Sequence, residues 1–257
     1  MFRVPPFVRR SIVAGVVVPP AAPPAAGLLG KWLSGVGLLD NVGNPSTDGA
    51  VVTTWQDQSG NANHMLHAGT NAPVRRDAQA AFNNLTAVQS NSNTSRLKTG
   101  TILMTAECTL AVVVRWQGAG SSYPHLMTWG EPAGPGGSLG YNLRHDNLEK
   151  PGAEQNGGAV LYGTTPGTTN YAHFIGRFIT AGSLVQFWRN GVSVGTAARG
   201  AYAGATQALS LFSAPISPYN YKGYIAEAWA WSVAITNAQI TDTISYFNTK
   251  FGTPIDF

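Results

Sequence analysis

One segment of the chain restricts its fold more than any other, the run SLVQFWRNGVSVGT at residues 183–196. Apolar and polar side chains alternate on both sides of the dipeptide Asn190-Gly191. Alternation with a period of two predicts a strand that is buried on one face, and Asn-Gly between two such runs is a strong short-range signal of a tight hairpin. The segment therefore predicts an antiparallel pair of strands joined by a two-residue turn.

Further strands are predicted on both sides of this hairpin. The run CTLAVVVRW (108–116) is apolar and rich in β-branched residues, which is typical of a strand buried on both faces. ALSLFSA (208–214) and YIAEAWAWSVA (224–234) are also predicted to be strands. No strand–helix–strand alternation occurs, so a parallel sheet is not expected. The pattern predicts an all-β protein.

A single amphipathic helix is predicted near the end of the chain, in TNAQITDTISYFNTKFG. Thr236 can cap its N-terminus while Gln239, three positions later, completes a capping box. Gly252 can end the helix. The residues that share its apolar face are Ile240, Ile244, Phe247 and Phe251. We expect this short helix to cover the rim or one edge of the β-structure.

Charge is scarce and unevenly distributed along the chain. Charged residues make up 11% of the 257 residues, well below the usual quarter, while 30 Gly and 16 Pro mark many turns. Four of the 16 basic residues and none of the 12 acidic ones lie in the first 31 residues, so the rest of the chain is balanced at 12 against 12. A neutral body argues against a dedicated nucleic-acid-binding surface, which needs clustered Lys and Arg.

Cysteine usage and hydropathy lead to two further expectations. Cys108 is the single cysteine, so the chain cannot form an internal disulfide, and its apolar surroundings predict a buried, unreactive thiol. No apolar run approaches the roughly 20 residues that a membrane-spanning helix requires. We therefore expect no membrane span.

The first 31 residues form a region of their own, which contains MFRVPPFVRRSIVAGVVVPPAAPPAAG. Its proline pairs favour polyproline II, so residues 1–31 are expected to be an extended anchoring arm in front of a β-sandwich at residues 32–257. Apolar docking with charge-assisted contacts would bind the arm to a partner protein through Phe2, Arg3, Phe7, Arg9 and Arg10. Two alternatives stay open, a secretory signal peptide and a flexible tail.

Four blocks of sequence resemble the concanavalin A-like lectin/glucanase superfamily, specifically its laminin-G-like members. They are, in chain order, TWQDQSGNANH, ECTLAVVVRW, FWRNGVSVGT and GYIAEAWAWSVAITNAQITDTISYFNTKFG, within residues 32–252. The resemblance implies a jelly-roll sandwich of two antiparallel sheets. It implies much less about activity, because one fold hosts many functions. Such domains are common in bacteriophage structural proteins.

The stretch TWQDQSGNANHM (54–65) is rich in oxygen-bearing side chains that suit either calcium or a tight turn. Asp57 would be the anionic calcium ligand. A helix–loop–helix calcium motif is absent, because Gly60 occupies a ligand position and no Glu follows at the required distance. We favour an Asx-type turn whose side chains satisfy backbone donors, with Trp55 in the core. No cofactor is expected other than calcium at Asp57.

Enzymatic activity is not expected, although the superfamily includes glucanases. Retaining glycosidases need two carboxylates about 5–5.5 Å apart. Glu227 has Ile225 and Trp229 at the positions where an acidic partner would stand on the same strand. His64 and His67 lack the accompanying Cys or acidic residues of a metal site. The sequence therefore predicts a protein without a catalytic pair.

Sugar binding is the remaining interaction that the residues support. Sugars are bound by aromatic faces together with amides and charged groups. The candidate glycan contacts in Gly-rich segments are Tyr123, Trp129, Tyr141, Arg144, Tyr162, Tyr171, Tyr219 and Tyr221, with His125 and Asn142 beside them. The alternative is that these aromatic residues fill the rim of the sandwich or contact neighbouring copies of the chain.

Two functions remain after these exclusions. The first is a non-enzymatic virion structural protein of a phage, a capsid decoration or head/tail accessory protein on the particle surface. It would be a homo-oligomer, held by its arm to other virion proteins. The second is a carbohydrate-binding module for host surface glycans, with or without calcium. A hydrolase that uses Glu227 is a third hypothesis.

Overall fold

The computed structural model describes residues 22–68, 70–90, 92, 94–117, 124–132, 138–145, 150–155, 161–162, 171–200, 206–212 and 221–254. The predicted partner-binding residues of the arm lie outside this part of the chain, and they are Phe2, Arg3, Phe7, Arg9 and Arg10. Tyr123 and Tyr219 lie outside it as well, and of Tyr162 only the backbone is described.

The described residues form short strands, one 3₁₀ helix at Ala80–Phe82 and the α-helix α1 at Asn237–Phe251. The strands are β1 (Leu28–Trp32), β2 (Leu38–Leu39), β3 (Thr54–Trp55), β4 (Met65–His67), β5 (Val74–Gln79), β6 (Leu85–Ser90), β7 (Leu97–Leu103), β8 (Cys108–Trp116), β9 (His125–Pro132), β10 (Ser138–His145), β11 (Pro151–Gln155), β12 (Leu161–Tyr162), β13 (Ala172–Ile179), β14 (Leu184–Arg189), β15 (Val192–Ala198), β16 (Thr206–Leu211) and β17 (Gly223–Trp231). No helix of this part of the chain is long and apolar enough to span a membrane.

The strands form two sheets that pack face to face. Among the described residues, sheet A has eight strands in the order β15-β14-β13-β8-β17-β6-β5, with β1 also paired to β17. Sheet B has nine strands in the order β12-β11-β10-β9-β16-β7-β4-β3-β2. Every pairing between these strands is antiparallel. The predicted two-sheet antiparallel sandwich with one C-terminal helix is confirmed.

Strand β8 has the bounds predicted from CTLAVVVRW and lies between β13 and β17. Its side chains are divided between two apolar clusters. Leu110, Val112 and Val114 lie in the core between the sheets, and Ala111 and Val113 lie in a second cluster with helix α1. Both faces of the strand are therefore covered by apolar groups, which explains why its sequence lacks polar alternation.

Large aromatic side chains fill the core between the sheets. Its fully buried members include Trp32, Trp55, Trp116, Trp129, Tyr141, Phe174 and Phe187. Gly176 of β13 allows a close approach of the sheets, because an added Cβ would lie 2.7 Å from the side chain of Leu143 on β10. Trp55 was predicted to be a core residue, and its burial confirms this.

The Asn-Gly hairpin and the helix cap are both confirmed. Asn190 and Gly191 have φ angles of 50° and 82°, as a tight turn between β14 and β15 requires. Thr236 Oγ1 accepts a hydrogen bond from the amide of Gln239 at 3.3 Å, and Gln239 Oε1 accepts one from the amide of Thr236 at 2.8 Å. These reciprocal bonds are the predicted capping box.

Helix α1 covers the outer face of sheet A, and the expectation that it covers a rim or an edge is wrong. The buried residues of the helix are Ile240, Thr243, Phe247 and Phe251. The apolar ones pack in one cluster with Trp229 and Trp231 of β17 and with Ile175 of β13. The reason is the composition of sheet A, since its outer face also carries a large apolar cluster that has to be shielded from water.

The predicted boundary between arm and sandwich at residue 31 is also wrong. Strand β1 pairs with the C-terminal half of β17, so the last residues of the predicted arm belong to sheet A. Trp231 Nε1 donates to the carbonyl of Pro24 at 2.8 Å, and the amide of Ser232 donates to the carbonyl of Gly27 at 2.7 Å. On β17, the pairing with strand β6 covers only Gly223–Ile225. Without β1, the rest of β17 would be an unpaired edge.

Candidate functional site

Four of the predicted glycan contacts are core residues. Trp129 and Tyr141 pair directly across β9 and β10 and lie in the cluster between the sheets. Tyr221 packs against Trp116 in the same core, with ring centroids 5.3 Å apart, and Tyr171 lies in the cluster beneath helix α1. All four rings are packed among apolar side chains, either between the sheets or beneath helix α1, so their prediction as glycan contacts is wrong.

The opposite side of the same strands of sheet B carries polar groups. Residues paired directly across a sheet point to the same face. The pairs Glu154–Asn142, Asn142–Thr128 and Thr128–Ser210 therefore form one transverse row over β11, β10, β9 and β16. The neighbouring row contains the inward-facing pair Tyr141–Trp129, so the polar row lies on the outer face of sheet B.

A second polar pair lies beside this row. Arg144 of β10 is two positions from Asn142, and its partner in the register is His125 of β9. We refer to the six residues together as the polar face, and they are His125, Thr128, Asn142, Arg144, Glu154 and Ser210. Arg144 is the predicted glycan contact that the structure places on this face.

The polar face is buried despite its composition. Thr128, Asn142 and Ser210 have no exposed surface. The side chains of Arg144 and Glu154 are 12% and 11% exposed, so this pair forms the part of the face that reaches solvent. The outer face of sheet A is also buried, and under helix α1 it is lined largely by an apolar cluster.

Asn142 is the least satisfied residue of the polar face. Among the described residues, neither its Nδ2 nor its Oδ1 has a hydrogen-bond partner, and Ser210 Oγ, two strands away in the same row, has none either. A buried polar group left unpaired costs about 1–3 kcal/mol, and such groups are uncommon in folded proteins. An amide can donate to one ligand hydroxyl and accept from another. This row is therefore equipped to bind a hydroxyl-rich molecule.

The charged groups of the polar face neutralise each other. Arg144 Nε lies 2.5 Å from Glu154 Oε2, an ion pair rather than an aligned hydrogen bond. Burial, and then the charge of Arg144, lowers the pKa of His125 to about 3, so its imidazole is neutral at physiological pH. His125 Nδ1 lies 2.9 Å from Thr128 Oγ1.

Asp57 forms the centre of a turn. Its Oδ1 accepts hydrogen bonds from the amides of Lys31 and Ser59 at 2.9 and 2.8 Å, and its Oδ2 accepts from the amide of Asn63 at 3.0 Å and from the hydroxyl of Ser59 at 2.7 Å. The favoured Asx-type turn is confirmed. Four donors occupy the carboxylate, and calcium would have to displace them, which contradicts the predicted role of Asp57 as a calcium ligand.

The histidines of this stretch are not arranged for a metal either. His64 Nδ1 accepts a hydrogen bond from the amide of Asp57 at 3.1 Å and so takes part in the same turn. Among the residues that the structure describes, no group of three His, Cys, Asp or Glu side chains is placed to hold a metal ion.

Glu227, the residue considered for hydrolysis, lies between sheet A and helix α1. It has no exposed surface, accepts a hydrogen bond from Trp229 Nε1 at 2.7 Å and forms an ion pair with Lys250 of the helix. This environment suits a structural contact between strand and helix. Cys108 is buried as predicted, and burial raises the pKa of its thiol, which keeps it protonated and unreactive.

Sequence reasoning did not identify Thr128, Ser210 and Glu154 as site residues. The sequence signal that could have identified this face is the alternation of apolar and polar residues within single strands. In Tyr141-Asn142-Leu143-Arg144, for example, the apolar residues face the core and the polar ones do not. Because glycine is frequent around these strands, the sequence favoured loops there, and the aromatic residues were therefore interpreted as loop residues.

Comparison with known proteins supports the fold. No protein-family model matches the sequence, and no curated protein matches it significantly. Trypanosoma rangeli sialidase matches the structure with a TM-score of 0.60 and 15% identity, covering 92% of this chain and 36% of the sialidase. The same sialidase in complex with sialic acid gives 0.59 and 14%, covering 87% of this chain and 33% of that one. The chain thus spans about a third of the sialidase's length.

A second kind of similar structure is a single domain. Domain 4 of AbnA, a GH43 extracellular arabinanase from Geobacillus stearothermophilus, was solved in complex with arabinotriose. It matches with a TM-score of 0.58 and 16% identity, covering 84% of this chain and 98% of the domain. At such identities the similarity shows that these proteins share the β-sandwich fold.

Proposed function

We propose that this chain is a non-catalytic carbohydrate-binding β-sandwich of the concanavalin A-like kind, and that the polar face of sheet B is its binding surface. One observation carries the proposal: the buried Asn142 amide lies between Thr128 and Glu154, and neither of its polar atoms is paired by any residue that the structure describes. Planar amides and carboxylates are the groups that orient sugar hydroxyls, and a bound sugar would remove the energetic cost of the unpaired amide.

The choice of carbohydrate as the ligand class is supported by analogy with the similar structures. The arabinanase domain holds arabinotriose and the sialidase holds sialic acid. Analogy at the level of the fold is a weak argument for function by itself. It agrees here with the chemistry of the polar face, which offers hydroxyl, amide, imidazole, guanidinium and carboxylate groups on neighbouring strands.

The absence of catalysis is part of the proposal. Glycoside hydrolysis needs carboxylates that can reach the bond between two sugars. Glu227 is enclosed beneath helix α1, Asp57 is occupied by four donors, and Glu154 is paired with Arg144. We expect no release of sugar from polysaccharides or aryl glycosides, and product formation that is lost in Glu227→Gln would overturn this part.

The experiment that tests the binding function compares the wild-type chain with Asn142→Ala on a broad glycan array and by titration calorimetry. The expected result is binding of an oligosaccharide by the wild type and a loss of about tenfold or more in Asn142→Ala. Asn44→Ala, an exposed position in the loop after β2, is the matched control and should bind like the wild type. If the wild type binds no glycan, the proposal is wrong.

Display of this sandwich on a phage particle remains a hypothesis drawn from the sequence. It rests on the basic, proline-containing segment before residue 22 as an anchor to other virion proteins, and on homo-oligomer formation. Deleting residues 1–21 leaves intact the contacts of Pro24 and Gly27 with the end of sheet A. We expect the shortened protein to fold and to bind sugar but not to enter particles; incorporation at the wild-type level would contradict the anchor.

A further inference from the structure

The polar face is balanced in charge, and this balance bears on which sugars it can hold. Arg144 and Glu154 form the ion pair, and Asn142, Thr128 and Ser210 are uncharged. We infer that the polar face selects neutral oligosaccharides over acidic ones, and that Glu154 sets this selectivity by neutralising Arg144. The inference rests on the proposed sugar-binding function of the same site.

The register explains why Glu154 and Arg144 meet. Glu154 pairs with Asn142, and Arg144 pairs with Gly152, so the two charged side chains are diagonal neighbours on one face of β10 and β11. Gly152 has no side chain, which leaves the space directly opposite Arg144 open to its guanidinium. The pair is therefore a consequence of the strand register.

An acidic sugar would have to bring its carboxylate into this face. A desolvated carboxylate is stable only beside a cation that can pair with it. Here Arg144 already has Glu154 at 2.5 Å, and a second carboxylate would be repelled by the first. Both side chains are nearly 90% buried, at 12% and 11% exposure, so solvent screens this repulsion weakly. A neutral sugar meets no such penalty.

Two other bases of the described residues, His125 and Lys98, do not supply the missing positive charge. His125 faces Arg144 across β9 and β10 and is neutral, since burial and the charge of Arg144 lower its pKa to about 3. Lys98 of β7 is in the same transverse row, beyond Ser210. It is three strand spacings from Asn142, about 14 Å, which exceeds the screening length in physiological salt.

The test uses Glu154→Gln, which keeps the shape of the side chain and removes its charge. The probes are α-1,4-linked galactotriose and trigalacturonic acid, which differ only in carrying a hydroxymethyl group or a carboxylate on each ring, and both are titrated by calorimetry. We expect the wild type to bind the neutral member of a pair about tenfold or more tightly, and Glu154→Gln to reduce that ratio by about tenfold through a gain for the acidic member.

A matched control is present on sheet A. Arg75 and Asp77 of β5 form an ion pair at 2.7 Å away from the polar face, so Asp77→Asn removes a paired carboxylate without touching the site. This variant should keep the wild-type ratio. A change as large as that in Glu154→Gln would mean that overall charge, and not the Arg144–Glu154 pair, sets the selectivity.

A second variant covers the case in which Glu154→Gln does not fold. Arg144→Gln leaves Glu154 without its cation, so the preference for neutral sugars should rise by about tenfold. The inference is overturned, with sugar binding intact, if the wild type prefers the acidic members or if neither variant changes the ratio. Binding of no sugar by the wild type would instead overturn the proposed function.

Discussion

Glu227 of strand β17 and Lys250 of helix α1 form an ion pair that joins the helix to sheet A. The glutamate has no exposed surface, while the lysine side chain is 24% exposed. Trp229 Nε1 also donates a hydrogen bond to Glu227, at 2.7 Å, and the Tyr246 side chain is hydrogen-bonded to the same carboxylate. The pair therefore compensates a buried charge at the place where the helix covers the sheet.

Replacing Lys250 should show how much the buried charge of Glu227 lowers the free energy of unfolding when it has no cation beside it. Lys250→Met leaves Glu227 uncompensated, and we expect a loss of about 3 kcal/mol in the free energy of unfolding. The double variant Glu227→Gln/Lys250→Met removes both charges and should lose less than the single variant. Urea unfolding of the wild type, both single variants and the double variant measures this coupling. Additive effects would show that the two residues do not interact energetically.

Replacing Asn142 should reduce sugar binding without lowering the stability of the fold. Its amide is buried and has no partner among the described residues, so Asn142→Ala removes an unfavourable group as well as some packing. We expect its free energy of unfolding to stay within about 1 kcal/mol of the wild type or to rise, while sugar binding is lost. Urea unfolding and calorimetry on the same sample check both parts. A loss of several kcal/mol would identify Asn142 as a structural residue.

The turn around Asp57 should be important for stability and indifferent to calcium. Asp57→Ala leaves four donors without their acceptor, and we expect a loss of about 3 kcal/mol or more. Asp40→Ala is the control, because Asp40 accepts from the amides of Val42 and Asn44 in an exposed turn and should cost about 1 kcal/mol. Thermal unfolding with calcium and with chelator should give the same Tm, whereas a clear rise with calcium would restore the metal site.

Two buried histidines should make the fold sensitive to mild acid. Burial, followed by the charge of Arg189, lowers the pKa of His145 to about 3, and burial followed by Arg144 does the same for His125, from the ordinary 6.5. As pH falls through about 6.5, the unfolded chain takes up protons that the folded chain does not bind. Stability therefore falls between about pH 6.5 and pH 3, by up to about 1.4 kcal/mol per pH unit for each histidine.

His145→Phe tests this pH dependence. The His145 ring lies 4.6 Å from the ring of Trp116 and 6.1 Å from that of Phe174, centroid to centroid, so a phenyl ring suits its surroundings. In this variant, the histidine-dependent slope of the free energy of unfolding against pH should be about half that of the wild type between about pH 7 and pH 5. Urea unfolding at several pH values measures this slope. A slope equal to that of the wild type would show that His145 is not neutral in the folded protein.

Local features of the fold were predictable because they depend on neighbouring residues. The Asn190-Gly191 turn, the Thr236 capping box and the bounds of β8 follow from short-range sterics, hydrogen bonding and periodicity. The position of β1 was not predictable in this way. Leu28–Trp32 follows a proline-rich segment, and its partner β17 lies about 200 residues later in the chain.

The candidate site depends on such distant pairings even more. Thr128 and Ser210 lie on one row only because β9 pairs with β16, and Glu154 joins the row only through the register of β10 with β11. Aromatic side chains near glycines predicted a sugar site that includes residues of β9 and β10. The register places the pair Trp129–Tyr141 inside the core and the adjacent pair Thr128–Asn142 on the outer face.

The most direct test of the central claim is an NMR titration of the ¹⁵N-labelled chain with the oligosaccharide that the glycan array identifies. We predict that the largest shifts are those of the Asn142 side-chain amide and of the backbone amides of Thr128, Glu154 and Ser210. Shifts that leave these signals unchanged and concentrate on helix α1 or on the turn around Asp57 would contradict a binding surface on the outer face of sheet B.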